Sequence, residues 1–208
     1  HDELLKLLEK GQSAESTRVT IREGLTVEQT GALLAEKLGF DAAEFVRLAD
    51  TSASEFSAKY PFLEGAYENS MEGYLFPDTY DFKKGVSPKE AIERMLDQYA
   101  KVWSEVGSAQ GKAAKANMSQ AEIMTIASLI EKETKIATER ELVSSVIYNR
   151  LDKNMKLQLC SSVQFLLPDG ESRNKLRLTN ADIATPSPYN TYLHEGLPPA
   201  PIANPGRA

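Results

Sequence analysis

The 208-residue chain is 41% hydrophobic and 26% charged with 12 Gly and 10 Pro, a composition that excludes a disordered polypeptide and suffices for a core of one or two domains. With 30 acidic against 24 basic residues the net charge is -6, and the Lys and Arg are scattered rather than striped, so the electrostatic footprint of a nucleic-acid binder is missing. Cys160 has no partner for an internal disulfide, His1 and His194 are too few for a structural zinc site, and no apolar run approaches the roughly 20 residues that span a bilayer.

The opening "HDELLKLLEK" has neither an initiator Met nor a signal-like apolar segment, so residues 1–17 are expected to be the end of a preceding segment. Val19 and Ile21 alternate with Thr20 and Arg22, the two-residue period of a short strand. Two helices follow. Thr26 with Gln29 three residues on starts the first, which ends near Gly39; Asp41 with Glu44 starts the second, with Phe40 and Phe45 as a hydrophobic staple. Residues 53–70, polar and turn-rich around Tyr60, Pro61 and Gly65, read as a linker. In "MEGYLFPDTYDF" the aromatic residues Tyr74, Phe76, Tyr80 and Phe82 recur at even spacing, which predicts a strand pair or an edge strand interrupted at Pro77. Val86, Ser87, Pro88 and Glu90 then mark a helix start, and residues 107–117 read as a surface connection.

A helical hairpin is the best-marked part of the chain. Ser119 with Glu122 and Thr138 with Glu141 form two capping boxes, predicting helices over about 120–135 and 139–153. At 100 degrees per residue, Ile123, Ile126, Ala127 and Ile130 share one arc, and Glu131 lies on its margin. Leu142, Val146 and Asn149 share a stripe on the second helix, which sets an amide among apolar neighbours. Six of the ten prolines follow residue 185, so "TPSPYNTYLHEGLPPAPIANPG" is expected to be a fixed loop system.

The residues alone leave two readings of Glu131. As an ordinary helical Glu it is solvated and pairs with lysines one turn away. As a carboxyl at the border of a core it would stay protonated near neutral pH, which is what breaking a glycosidic bond requires of its acid. Glu72 has the same two readings, as a strand-end Glu facing water or as a charged site residue. Cys160 reads as a small apolar residue without an activating His. No Gly-rich phosphate cradle or metal-ligand spacing appears, and no cofactor is expected.

Five ordered blocks carry a resemblance: "EGYLFPDTY" (72–80), "IASLIEKET" (126–134), "VIYNRL" (146–151), "LQLCSSVQF" (157–165) and "SPYNTYLHEGLPPAPIANPG" (187–206). Together they resemble the YceG-like family, the endolytic murein transglycosylases, and residues 18–52 look like the LysM-like unit that precedes the catalytic domain there. The resemblance implies an α+β fold: a small LysM-like strand-helix-helix subdomain (18–52), the linker, and a mixed α+β catalytic domain (71–208) with the helical hairpin and a Pro-rich loop region. The family continues beyond "NPG" with a helix and a closing strand, so that domain is expected to be C-terminally truncated.

The implied activity is endolytic cleavage of peptidoglycan glycan strands between N-acetylmuramic acid and N-acetylglucosamine, leaving 1,6-anhydromuramyl ends. Glu131 matches the first Glu of the family's "EKET" block, its single catalytic acid and base. By membership of the blocks, Glu72, Tyr74, Asn149, Gln158, Gln164, Tyr189, Asn190 and Thr191 become candidate substrate-binding residues. The resemblance also implies the outer face of the bacterial cytoplasmic membrane as the location, through a single-pass anchor that this chain lacks. It leaves open which peptidoglycan synthases or division proteins are partners. Leu159, Ser161 and Ser162 depart from the family's usual residues, and Ala200 stands where Gly is usual. Two alternatives stand beside this reading: a hydrolytic muramidase with Glu72 as second carboxylate, and a non-catalytic wall-binding or scaffold module.

Overall fold

The computed structural model of the chain describes residues 15–110, 118–168 and 177–207. In chain order its elements are strand β1 (Ser16–Thr20), helices α1 (Val27–Leu38), α2 (Ala42–Thr51) and α3 (Ala53–Phe56), and strand β2 (Thr79–Lys83). The long helix α4 (Pro88–Gln110), the pair α5 (Gln120–Glu133) and α6 (Arg140–Asp152), and the short helices α7 (Cys160–Gln164) and α8 (Asn180–Ile183) follow. The architecture is mixed α+β, largely helical, with one two-stranded sheet among the described residues.

Strand β1 pairs antiparallel with β2, Val19 opposite Tyr80, and the Ile21 N–H continues the ladder to the Asp78 carbonyl at 2.9 Å. The unit predicted over 18–52 therefore does not close on itself: its second strand comes from residues 79–83. Residues 16 and 17, expected to belong to a preceding segment, are strand, while 1–14 lie outside the described residues. Within "MEGYLFPDTYDF" only Thr79–Lys83 is strand, with Tyr80 and Phe82 facing inward. Upstream the chain turns, the Tyr74 N–H closing on the Met71 carbonyl at 2.9 Å, so Tyr74 packs against the rings of Phe62 and Tyr99 instead of continuing a strand face.

Most of the local helix signals, whose partners lie within about one turn, are present in the structure. The Thr26–Gln29 and Ser119–Glu122 capping boxes both form, the Phe40 and Phe45 rings stack at 5.9 Å, and Ser87 accepts from the Glu90 N–H while its own N–H reaches the Glu90 carboxylate. Helix α4 runs through residues 107–110, past its expected end; 111–117 lie outside the described residues. The Thr138–Glu141 box does not form. Thr138 sits in a 3-10 turn, Ala137–Glu139, because Thr134 at the end of α5 captures the segment, accepting from the Ile136 N–H at 3.0 Å and donating to the Glu139 carboxylate at 2.8 Å.

The segment expected as a linker is packed rather than loose: Phe56, Tyr60 and Leu63 are buried in the same cluster as Val19, Phe45, Phe82 and Leu96. A second cluster gathers Ile126, Leu129, Ile147, Leu157 and Ile202. Helix α5 contributes Met124 to the first and Ile126 to the second, so it is covered on two sides. That is why Thr125 and Ser128 are buried, each returning its hydroxyl to a backbone carbonyl of the preceding turn. Of the predicted arc only Ile126 is fully buried; Ile123, Ala127 and Ile130 are half-buried. On α6 the buried residue is Ile147, whereas Leu142 and Val146 are 67% and 41% exposed and Asn149 is exposed, so the expected burial of that amide is corrected. No helix of the described residues is long and apolar enough to cross a membrane.

Candidate functional site

Three segments distant in the chain are tied together by Asn204. Its backbone pairs antiparallel with Leu25, the Gly24 N–H donating to the Asn204 carbonyl at 2.8 Å and the Asn204 N–H to the Leu25 carbonyl at 2.9 Å. Its side-chain oxygen accepts from the N–H groups of Gly73 and Leu75 at 3.0 and 2.9 Å. Its amide nitrogen donates to the Leu25 carbonyl and to Glu72 Oε1 at 3.0 and 3.2 Å. The bonds to Gly73, Leu75 and Glu72 are buried, where an unpaired partner is costly, and those to Gly24 and Leu25 lie at the half-buried margin. Beside this knot the Ile202 N–H donates to Ser128 Oγ at 3.0 Å, which fastens the Pro-rich tail along α5.

Glu72 belongs to the knot. It is 7% exposed, and its second oxygen accepts from the Val27 N–H at 2.9 Å, at the first turn of α1, where a helix favours a negative charge. A carboxylate fits this position because both of its oxygens accept. Glutamine would turn one of them into a donor facing the Asn204 amide or the Val27 N–H. Glu72→Gln is therefore expected to cost about 1–3 kcal/mol in urea unfolding.

One turn along α5 from Ser128, at the place this assembly creates, lies Glu131. Its side chain is 11% exposed. A Cβ placed on Gly24 would lie 3.5 Å from Glu131 Cγ, so the loop after β1 packs directly on it, and Lys132 Nζ donates to the Gly24 carbonyl at 3.2 Å. From the tail, the Gly206 N–H points to Glu131 Oε2 at 3.5 Å. From α6, Arg140 Nη2 is 3.6 Å from the same oxygen and 3.7 Å from Glu23 Oε2. Burial pushes the Glu131 carboxyl above the ordinary carboxylate range and the nearby Glu23 adds to this, while Arg140, the Gly206 N–H and Lys132 act in the opposite sense. Gly206 also walls an adjoining apolar groove of about 140 Å³ with Phe76, Tyr99, Trp103, Ile123 and Ala127. Aromatic floors of this kind suit the faces of sugar rings.

The other candidates fall into two groups. Tyr74, Asn190 and Thr191 are buried. Asn190 donates to the carbonyls of Ile183 and Thr185, and Thr191 binds the Leu159 N–H and Ser162 Oγ, so their polar groups are committed within the protein. Ser161 and Ser162, which depart from the family pattern, are buried too. Asn149 and Gln158 are exposed and Gln164 is half-buried, while Tyr189 is half-buried between the rings of Tyr67 and Phe165. Neither these seven candidates nor Glu72 is the hydrogen-bond partner that the structure gives Glu131, which is the Gly206 N–H. Glu23 and Arg140 do surround it and were not singled out in the sequence. Glu23 lies more than a hundred residues from Glu131, which leaves no spacing to read, and Arg140, nine residues on, is brought back only by the turn between α5 and α6. Among the described residues no group of His, Cys, Asp and Glu is placed to hold a metal ion.

A family model described as the YceG-like family matches residues 1–208. A Bacillus subtilis protein named endolytic murein transglycosylase is 30% identical, the match covering 99% of this chain and 58% of that protein. A Streptococcus pneumoniae protein of the same name is 32% identical over 98% of this chain and 40% of its own length. The chain thus spans about half the length of these relatives. A crystal structure of a yceG-like protein from Listeria monocytogenes superposes with a TM-score of 0.81 at 30% identity, covering 99% of this chain and 68% of that one.

Proposed function

The chain belongs to the YceG-like family, and on that premise we propose that it is the cleaving part of an endolytic murein transglycosylase, with Glu131 as the single acid and base. The observation that carries this reading is the Glu131 carboxyl, nearly covered, held above its ordinary pKa by burial, and set where the loop after β1, helix α6 and the tail meet. In the first step protonated Glu131 gives its proton to the glycosidic oxygen as the bond from C1 of N-acetylmuramic acid breaks, and N-acetylglucosamine leaves with a free 4-hydroxyl. In the second the muramyl 6-hydroxyl closes on C1 and returns its proton to the Glu131 carboxylate. No water is consumed, and one carboxyl serves both steps.

The apolar groove beside Gly206 would receive a sugar ring, and Asn149, Gln158 and Gln164 remain candidates for contacts along the glycan. The bonds of Glu72 to Val27 and Asn204 speak against its use as a second catalytic carboxylate. Accordingly Glu72→Gln is expected to retain cleavage within about tenfold at a temperature where it stays folded, far from the 100-fold or greater loss of removing an acid. The sheet with α1 and α2 is read as the LysM-like unit, and the cell envelope, reached through an anchor outside this chain, as the place of action. Mass spectrometry of products from uncrosslinked glycan strands tests the reaction: ends one water lighter than reducing muramic acid are expected. Reducing ends would assign a hydrolase, and absence of cleavage by the protein at full length would assign a binding module.

A further inference from the structure

We propose that Glu23 is a positioning residue of the same site, a second carboxylate that keeps the proton on Glu131 and shares Arg140 with it. The inference rests on the reading of Glu131 as the acid. Its geometric support is independent of sequence blocks. Arg140 is only 17% exposed, its Nε is buried with no partner, and its Nη2 is set between the two carboxylates, 3.6 Å from Glu131 and 3.7 Å from Glu23. The Glu23 carboxylate lies over Gly206 so closely that any Cβ there would collide with its Oε1. The lack of a side chain at residue 206 thus leaves room for the Glu23 carboxylate over the residue whose N–H points at Glu131.

This arrangement solves a problem that a lone acid next to an arginine would have. An Arg within 4 Å favours the ionised carboxyl and would strip Glu131 of the proton it must donate. A second carboxylate on the same guanidinium nitrogen divides that attraction and adds repulsion of its own, so the protonated form persists. When the proton has gone to the leaving oxygen, Arg140 is still in place to hold the Glu131 carboxylate that must take a proton back. The charged groups facing Glu131 are Glu23 on the loop after β1, Arg140 on α6 and Lys132 on its own helix. Glu23 is the only one of the three whose charge favours the protonated form, and it is half-exposed, so its replacement leaves the core intact.

The sign follows directly. Glu23 raises the Glu131 pKa, so removing its charge lowers it, and the acid form is lost at a lower pH. In the protein at full length, Glu23→Gln is expected to move the alkaline limb of the pH–rate profile for glycan-strand cleavage to lower pH. The rate on the plateau should fall by less than about tenfold, against 100-fold or more for loss of the acid. Glu23→Asp, which keeps the charge, should leave the limb close to its original position. A purely structural role would lower the rate of both variants without moving the limb. If Glu131→Gln is inactive and the limb of Glu23→Gln stays at the wild-type position, the proposal for Glu23 is overturned. If Glu131→Gln remains active, the reading of the site beneath it is overturned instead.

Discussion

Replacing Glu131 with glutamine is expected to lower cleavage of glycan strands by about 100-fold or more, the usual loss when a general acid is removed. Gln has nearly the shape of Glu and can still meet the Gly206 N–H and the packing of Gly24, so the surroundings should hold. What disappears is the transferable proton. The carboxyl is desolvated and flanked by Glu23, so removing its ionisation takes away a strained group rather than a supporting one, and the variant should unfold at a temperature near that of the parent. Anhydro-terminated fragments counted by mass spectrometry, with circular dichroism to confirm the fold, check both halves. Cleavage within tenfold of the parent would remove Glu131 from the chemistry.

The second large effect concerns stability. Asn204→Ala is expected to cost about 3–4 kcal/mol, since it strands two buried donors, Gly73 N–H and Leu75 N–H, and takes a donor from Glu72. The Leu25 carbonyl keeps the bond from the backbone of residue 204, which limits the loss. Asn204→Asp separates shape from hydrogen bonding. It restores acceptors for Gly73 and Leu75 but sets an oxygen against the Glu72 carboxylate and the Leu25 carbonyl, so it too is expected to destabilise at neutral pH. Urea unfolding followed by fluorescence of Trp103 gives the values. A loss below 1 kcal/mol for the alanine variant would show that the three segments are held together by packing alone.

These two residues illustrate what a sequence can disclose. Glu131 draws notice because it directly follows the stretch 126–130 and lies next to Ala127 at the margin of an apolar arc, a relation contained in one helix. Asn204 drew none: it lies in a proline-rich stretch whose local chemistry says only that the chain is extended there. Its bonds to Leu25, Gly73 and Leu75 join positions more than a hundred residues apart. Glu72 was noticed for its charge, yet the structure uses that charge to receive the first turn of α1. Asn149 failed in the other direction. Its stripe with Leu142 and Val146 has helical spacing, but α6 turns Ile147 inward and leaves the stripe in water.

By itself the sequence determined the interactions that close within about four residues: the Thr26 and Ser119 capping boxes, the Phe40–Phe45 staple, the Ser87–Glu90 start, and the helix that carries Glu131 at its apolar border. These cost little chain entropy to form, so local chemistry is enough to specify them. Thr138 shows the limit of that rule, because Thr134 and Glu139 offered a competing closure that the turn preferred. The tertiary structure alone decided that β2 completes the sheet of β1, that residues 53–70 join the core, and that Glu23, Arg140 and Gly206 converge on Glu131. Each of these joins groups far apart in the chain, and such contacts become favourable only once the two apolar clusters have formed and brought their ends together.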